Sequence, residues 1–276
     1  MKSEQVKEIT SKAIEELVAA LNAGRSEALT NYLAAVAKFR KYSLCNVLLI
    51  ARAYPQATHV AGYQTWRSLG RYVKKGEKGI RILAPILRRH SEETDERAGS
   101  DESRPVVGFR AVYVFDVTQT DGAQLPEIGS VNGDPGSCCE RLEQFVREQG
   151  ITLEYSADIA PAKGVSEGGK IRLLPGQAPA ETVATLVHEI AHERLHRAER
   201  RASTTKRVRE TEAEAVAFVV CQAIGLETGT ASVDYISLWN GDAAVLLESL
   251  ELVQRTAMEI IAAITPDKPL PPEDGG

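Results

Sequence analysis

Several things are scarce in this chain, and each scarcity excludes a class of protein. Of its 276 residues only four are cysteine: Cys45, Cys138, Cys139 and Cys221. No C-x-x-C spacing occurs and two of them are adjacent, which argues against a cysteine zinc site and a disulfide framework and predicts reduced, mostly buried thiols. No apolar run reaches the roughly 18 residues of a membrane span. The opening "MKSEQVKEITSKAIEEL" is polar where a secretory leader needs an apolar core, so a cytoplasmic protein with no membrane partner is expected. Internal repeats and low-complexity blocks are missing too. Histidine is rare, with five in the chain, and three of those stand in one stretch, "LVHEIAHERLH".

What the chain does contain is an ordinary soluble composition, 43% hydrophobic and 26% charged, at a length that suggests two modest domains. Net charge is −5, but from Ala35 to His90 there are 12 Lys or Arg against one acidic residue, Glu77. A domain-sized block of one sign points to a polyanionic partner. Within it, "KFRKYS" supplies Lys38, Arg40, Lys41 and Tyr42, with Asn46 close behind. "TWRSLGRYVKKGEKGIRIL" supplies Trp66, Arg67, Arg71, Tyr72, Lys74, Lys75, Lys78 and Arg81. Cations neutralise phosphates and aromatic faces stack on unpaired bases, so the mixture suits single-stranded nucleic acid better than duplex.

Periodicity predicts an α+β protein. Helices are expected over "SEQVKEITSKAIEELVAALNAG" and "RSEALTNYLAAVAKFRKYSLCNVLLIARA", then a small antiparallel sheet from "THVAG", "GIRILAPIL" and "VGFRAVYVFDVTQT". The charged stretch between the last two reads as a solvated hairpin tip. The first domain is placed at 1–128, a Pro- and Gly-rich linker at 129–136, a second domain at 137–265 and a disordered tail at 266–276. The second domain should open with the helix "SCCERLEQFVREQG". Strands "ITLEYSA" and "GGKIRLLP" should follow, then one long helix through "APAETVATLVHEIAHERLHRAER" and two more, "KRVRETEAEAVAFVVCQAIG" and "AAVLLESLELVQRTAMEIIAAI".

In "HEIAH", His188 and His192 are four residues apart and leave a helix on one face, where two neutral imidazoles can bind one tetrahedral Zn²⁺. Glu189 is the candidate general base of a metal-assisted amide hydrolysis. His196 lies about 12 Å from His188 along the axis and cannot share the metal, so it is expected at the surface or behind the ligands. The third ligand should come from "RETEAEAVAF", where Glu210 and Glu214 share one helix face. Glu210 is assigned as ligand and Glu214 as its support, while Glu212 is turned away by roughly 200°. Taken alone this acidic run reads as a solvated face; the apolar residues around it and the histidine pair argue otherwise. Tyr235 is a candidate donor to the oxyanion. The strand "GKIRLL" is a candidate edge for an extended peptide.

The segment from "YSLCNVLLIARAYPQATHVAGYQTW" through "VKKGEKGIRILAPI", with "YVFDVTQTDGAQLPE", resembles the N-terminal single-stranded-DNA-binding domain of ArdC-type antirestriction proteins. "HEIAH" followed by "ETEAEAVAFVV" resembles the metallopeptidase domain joined to it, related to the ImmA/IrrE peptidases. The resemblance covers about Asn31 to Ile264. It implies one zinc per chain on His188, His192 and a carboxylate matching Glu210, with Glu214 still open as the ligand, and Glu189 as base in a gluzincin-like domain. It implies protection of incoming DNA from restriction, on a mobile element, with a protein or peptide substrate. Two other functions remain open on the residues: a regulatory peptidase that cleaves a specific repressor, and a non-catalytic DNA-coating protein with structural zinc.

Overall fold

The computed structural model describes residues 3–23, 27–87, 106–123, 136–226 and 243–265. The chain begins with three helices, α1 (Ser3–Asn22), α2 (Glu27–Lys38) and α3 (Leu44–Ala53). The second helical stretch expected from the sequence is thus broken in two. Ser43 caps α3, its hydroxyl accepting from the Asn46 amide, and this local bond competes with continuation of the helix.

A three-stranded antiparallel sheet follows, in the order β1 (Val60–Gly62), β4 (Val106–Asp116), β3 (Ile80–Leu87). The short helix α4 (Tyr63–Ser68) and the pair β2 (Arg71–Val73) and β5 (Thr120–Gly122) flank it. The expected hairpin of "GIRILAPIL" with "VGFRAVYVFD" forms, with Ile80 opposite Val114 and Ile82 opposite Val112. The proposed hairpin tip, most of the linker and the tail lie outside the described residues.

The second half runs α5 (Gly136–Glu148), β6 (Thr152–Tyr155), β7 (Gly164–Ser166), β8 (Lys170–Leu173), α6 (Pro179–Leu195), α7 (Ala198–Ser203), α8 (Lys206–Ala223) and α9 (Ala243–Ile264). The long helix expected through "HERLHRAER" ends at His196, and α7 is a separate turn of chain beyond it. β8 is the central strand, parallel to β6 and antiparallel to β7. "GKIRLL" therefore has no free edge, which corrects its assignment as a peptide-docking strand; β7, three residues long and silent in the sequence, is an edge.

One apolar core joins the two halves. Leu29, Leu33 and Val36 of α2 belong to the same buried cluster as Val216, Val219 and Val220 of α8 and Val253, Ala257 and Ile260 of α9. α2 packs on α8, and α1 on α9. Polar bonds cross the same boundary: Arg40 donates to the Ala223 carbonyl at 3.2 Å, and the Gln254 amide donates to the Tyr42 carbonyl at 3.1 Å.

The turn after β4 is held by Asp116, which is fully buried. Its carboxylate accepts from the amides of Thr58 (2.7 Å), His59 (3.0 Å) and Thr118 (3.0 Å) and from the Thr118 hydroxyl (2.8 Å). Burial opposes ionisation of this group, but the hydrogen bonds outweigh it and hold the carboxyl below its ordinary 3.8. A depressed folded-state pKa contributes stability above about pH 3.8 that disappears as pH falls through the folded value. Asp116→Ala, which strands several amides, should cost about 3 kcal/mol in urea unfolding at pH 7. The difference from wild type should shrink below pH 3.8; a difference that does not change with pH would contradict this assignment.

Candidate metal centre

α6 and α8 build the site between them. The inner face of α6 is mainly apolar, with Val183, Leu186, Val187, Ile190 and Ala191 buried, each large side chain stabilising the packing by about 1.5–3 kcal/mol. That burial fixes the rotation of the helix, and the rotation aims His188 and His192 at α8.

Three ligand atoms meet there. His188 Nε2 and His192 Nε2 are 3.1 Å apart, and Glu210 Oε2 stands 3.5 Å from the first and 3.6 Å from the second. A tetrahedral ion with bonds of about 2.1 Å needs ligand-to-ligand edges of about 3.4 Å, so this triangle has the dimensions of one face of such a tetrahedron. Among the described residues, this is the group of three metal-type side chains whose donor atoms converge. The residues present therefore fit a divalent cation. Glu214 faces the other ring nitrogen, with Oε2 3.5 Å from His188 Nδ1. The two glutamates of one helix face are thus divided: Glu210 on the ligand side of the imidazole, Glu214 behind it.

The electrostatics agree with the geometry. Burial pulls the His188 imidazolium down, but bonds to Glu210 and Glu214 and the charge of Glu189 more than reverse this, to about 9. The same contacts with His188 and His192 draw the Glu210 carboxyl far below its usual range. A site that holds a proton so firmly is an anionic pocket, and a dication would compete for it.

Glu189 is buried beside the ligands, and burial raises its carboxyl pKa even though His188 and His192 pull the other way. The edge strand β7 lies against it. A Cβ on Gly164 would sit 2.8 Å from both Cγ and Oε1 of Glu189 and 2.7 Å from Thr185 Cγ2, so only glycine admits the carboxylate there. Glu193, one turn further along α6, fixes the strand: it accepts from Ser166 Oγ at 2.6 Å and from the amides of Gly168 and Gly169 at 2.8 Å. Gly164, Ser166 and Glu193 carry no motif, and nothing in the sequence pointed to them.

Of the two places open to His196, the structure gives it the one behind the ligands, 2.9 Å from His192, and Glu212 is turned away from Glu210 into the core. Both side chains are fully buried, and they are bonded to each other at 2.9 Å. Tyr235 lies outside the described residues.

The basic block divides in the same way. Lys38, Lys41, Arg67, Lys75, Lys78 and Arg81 are exposed. Asn46 and Trp66, assigned to nucleic acid, are structural. Asn46 is buried and pairs through both side-chain atoms with the backbone of Leu83, at 2.8 and 2.9 Å. Trp66 is 2% exposed, and its indole donates to the Phe115 carbonyl at 2.8 Å. Arg71 is spent on Thr120 and the Ala123 carbonyl. Lys74 binds the Thr118 carbonyl at 2.9 Å, Tyr42 donates to the Val60 carbonyl, and Arg40 caps the end of α8. Sequence reasoning missed Tyr113, 59% exposed, which stands opposite Arg81 in the β3–β4 register. The alternation Phe109, Tyr113, Phe115 along one strand was the available signal.

Comparison with known proteins places this architecture. Residues 3–115 match the model for the N-terminal domain of anti-restriction factor ArdC, the range from α1 nearly to the end of β4. That stretch is therefore an ArdC-type N-terminal domain. Two solved structures share the chain's fold nearly end to end: the metal-free crystal structure of the antirestriction protein ArdC from plasmid R388 (TM-score 0.56, 21% identity, 92% of this chain and 97% of that one) and its Mn(II)-bound form (TM-score 0.54, 18% identity, 91% and 97%). An uncharacterized protein of Bacillus anthracis, pXO2-81, is 22% identical across 95% of this chain. The chain spans about half the length of that relative, 51%.

The division of labour between the two glutamates can be checked by metal titration. Glu210→Ala should abolish stoichiometric binding of a divalent ion. Glu214→Ala should keep one site with affinity lowered about 10–100-fold. Equal loss from both substitutions would contradict the assignment.

Proposed function

We propose that this chain is a zinc metallopeptidase joined to a surface for single-stranded DNA, serving antirestriction on a mobile element. The observation that carries the hydrolytic half is the triangle of His188 Nε2, His192 Nε2 and Glu210 Oε2 with a buried Glu189 at its side. A zinc-centred, gluzincin-like site related to the ImmA/IrrE peptidases accounts for that donor set, and the Mn(II)-bound form of R388 ArdC supports a divalent ion in this fold.

A cation held by those three atoms would polarise a scissile carbonyl and make a water acidic near neutral pH. Glu189, whose carboxyl burial has made more basic, takes the proton of the attacking water and passes it to the departing amine. Glu214 orients His188 from its far nitrogen. β7, an edge held beside Glu189 by Glu193, offers backbone groups with which an extended peptide could pair. Glu189→Gln should retain one metal ion per chain and lower peptide hydrolysis by at least about 1,000-fold, within the range expected on losing a general base. Retention of restriction protection in cells by this variant would separate DNA coating from proteolysis as the protective act.

The DNA half rests on exposed cations interleaved with exposed aromatic rings, Tyr72 at 58% and Tyr113 at 59%. Single strands offer unpaired bases to such rings, each stacking contact contributing about 1–3 kcal/mol. In fluorescence anisotropy with an oligonucleotide, Tyr113→Ala should weaken single-strand binding about 5- to 100-fold. Lys75→Ala with Lys78→Ala should flatten the logarithmic salt dependence by about 1.4. An unchanged salt slope, or equal affinity for duplex and single strand, would contradict the proposal.

A further inference from the structure

Behind His192 lies a buried polar chain that the hydrolytic reading does not use. His192 Nδ1 is 2.9 Å from His196 Nδ1, and His196 Nε2 is 2.9 Å from Glu212 Oε2. The other oxygen of Glu212 accepts from Arg200 at 2.6 Å and from the Ser249 hydroxyl at 2.6 Å. These residues come from four elements: His196 ends α6, Arg200 is on α7, Glu212 on α8 and Ser249 on α9. The side chains of His196 and Glu212 have no exposure at all. Burying a carboxylate costs several kcal/mol unless it is paired and hydrogen-bonded, so a group this enclosed holds its place through its partners.

The chemistry of the chain leaves little freedom in its protons. A metal on His192 Nε2 occupies that lone pair, so the neutral ring carries its proton on Nδ1. Among the described residues its hydrogen-bond partner there is a ring nitrogen of His196, which must then accept. A neutral His196 accepting at Nδ1 carries its own proton on Nε2, where Glu212 accepts it. Arg200 and Ser249 donate to the remaining oxygen. From His192 to Glu212 each donor faces an acceptor, Arg200 Nε alone among the buried donors of this group lacking one, and the order runs one way only, from the metal side to the carboxylate.

We propose that His196 and Glu212 are positioning residues, which through this one-way chain fix the tautomer and ring orientation of His192 for metal binding. This rests on reading His188, His192 and Glu210 as the metal ligands. The arrangement differs from a carboxylate placed directly behind a ligand histidine: a second imidazole extends the reach by one ring, and α8 thereby holds both ligand sets, Glu210 at the metal and Glu212 behind His192.

The test uses the full chain and Zn²⁺ as the probe. Dissociation constants are measured by competition with a chelator for the unaltered protein, His196→Phe and Glu212→Gln, with thermal unfolding of each metal-free protein alongside. His196→Phe keeps a ring but breaks the chain. Glu212→Gln can accept from His196 only by turning its NH₂ toward Arg200, a donor. Both should bind Zn²⁺ about 10–100-fold more weakly, whatever happens to the metal-free melting temperature. Affinity within threefold of the unaltered chain in either folded variant overturns the proposal, since a purely structural role would move only the melting temperature. Should neither variant fold, nitrogen-15 NMR of the unaltered, zinc-loaded chain decides: Nδ1–H on His192 with Nε2–H on His196 supports the chain, and any other pair of tautomers overturns it. If the unaltered chain takes up no Zn²⁺, the metal reading falls and this inference with it; if it binds and the variants bind equally well, only the inference falls.

Discussion

The packing of α8 against α6 is the contact on which the rest of this molecule depends. α8 is buried along most of its length, from Thr211 to Cys221, and it is in contact with α6, α9 and α2 at once. It therefore belongs to both halves of the chain. Its first turns deliver three glutamates to three separate tasks: Glu210 toward the paired imidazoles, Glu214 toward the back of His188, Glu212 into the core. Its last turn receives Arg40 from the basic block on the Ala223 carbonyl, where a cation is favoured by the helix dipole. A shift of α8 along α6 would move the metal-type ligands and the anchor of the N-terminal half together.

This arrangement explains which parts of the site could be read from the sequence. His188 and His192 were legible because helical period alone puts residues four apart on one face, and the apolar frame around them fixed which face was buried. Glu210 and Glu214 were legible as a pair for the same reason. Which of them approaches the Nε2 atoms is set by how α8 crosses α6, a tertiary quantity with no local signature. Glu212 was correctly placed on the side of α8 away from Glu210. What lies on that side was not legible: α8 is enclosed on both sides, and the far side is core. For His196 the spacing left two places open, surface or behind the ligands, and only the end of α6 at that residue, a turn earlier than expected, decides between them.

The N-terminal half shows a related limit. Strand pairing and the Pro-bounded helices were evident from alternation and capping residues, yet the break at Ser43 hides because the helical spacing of apolar residues continues on both sides of it. Charge density located the basic block without sorting its members. Asn46 and Trp66 share a neighbourhood with exposed lysines, but their polar atoms complete backbone pairing inside the fold, as buried polar groups must. Lys38, Lys41, Arg67, Lys75, Lys78 and Arg81 carry the exposed charge instead. β7 was invisible because three residues cannot display a period, and Gly164 acquires its meaning only from the glutamate that lies against it.

The central claim is that two imidazoles from α6 and one carboxylate from α8 hold a single divalent ion. Anomalous diffraction at the zinc edge from crystals of the zinc-loaded chain tests it most directly. The account expects one peak per chain, about 2.0–2.2 Å from His188 Nε2, His192 Nε2 and an oxygen of Glu210, with Glu214 outside bonding distance. A peak ligated by Glu214 in place of Glu210, or zinc bound away from α6, would contradict it.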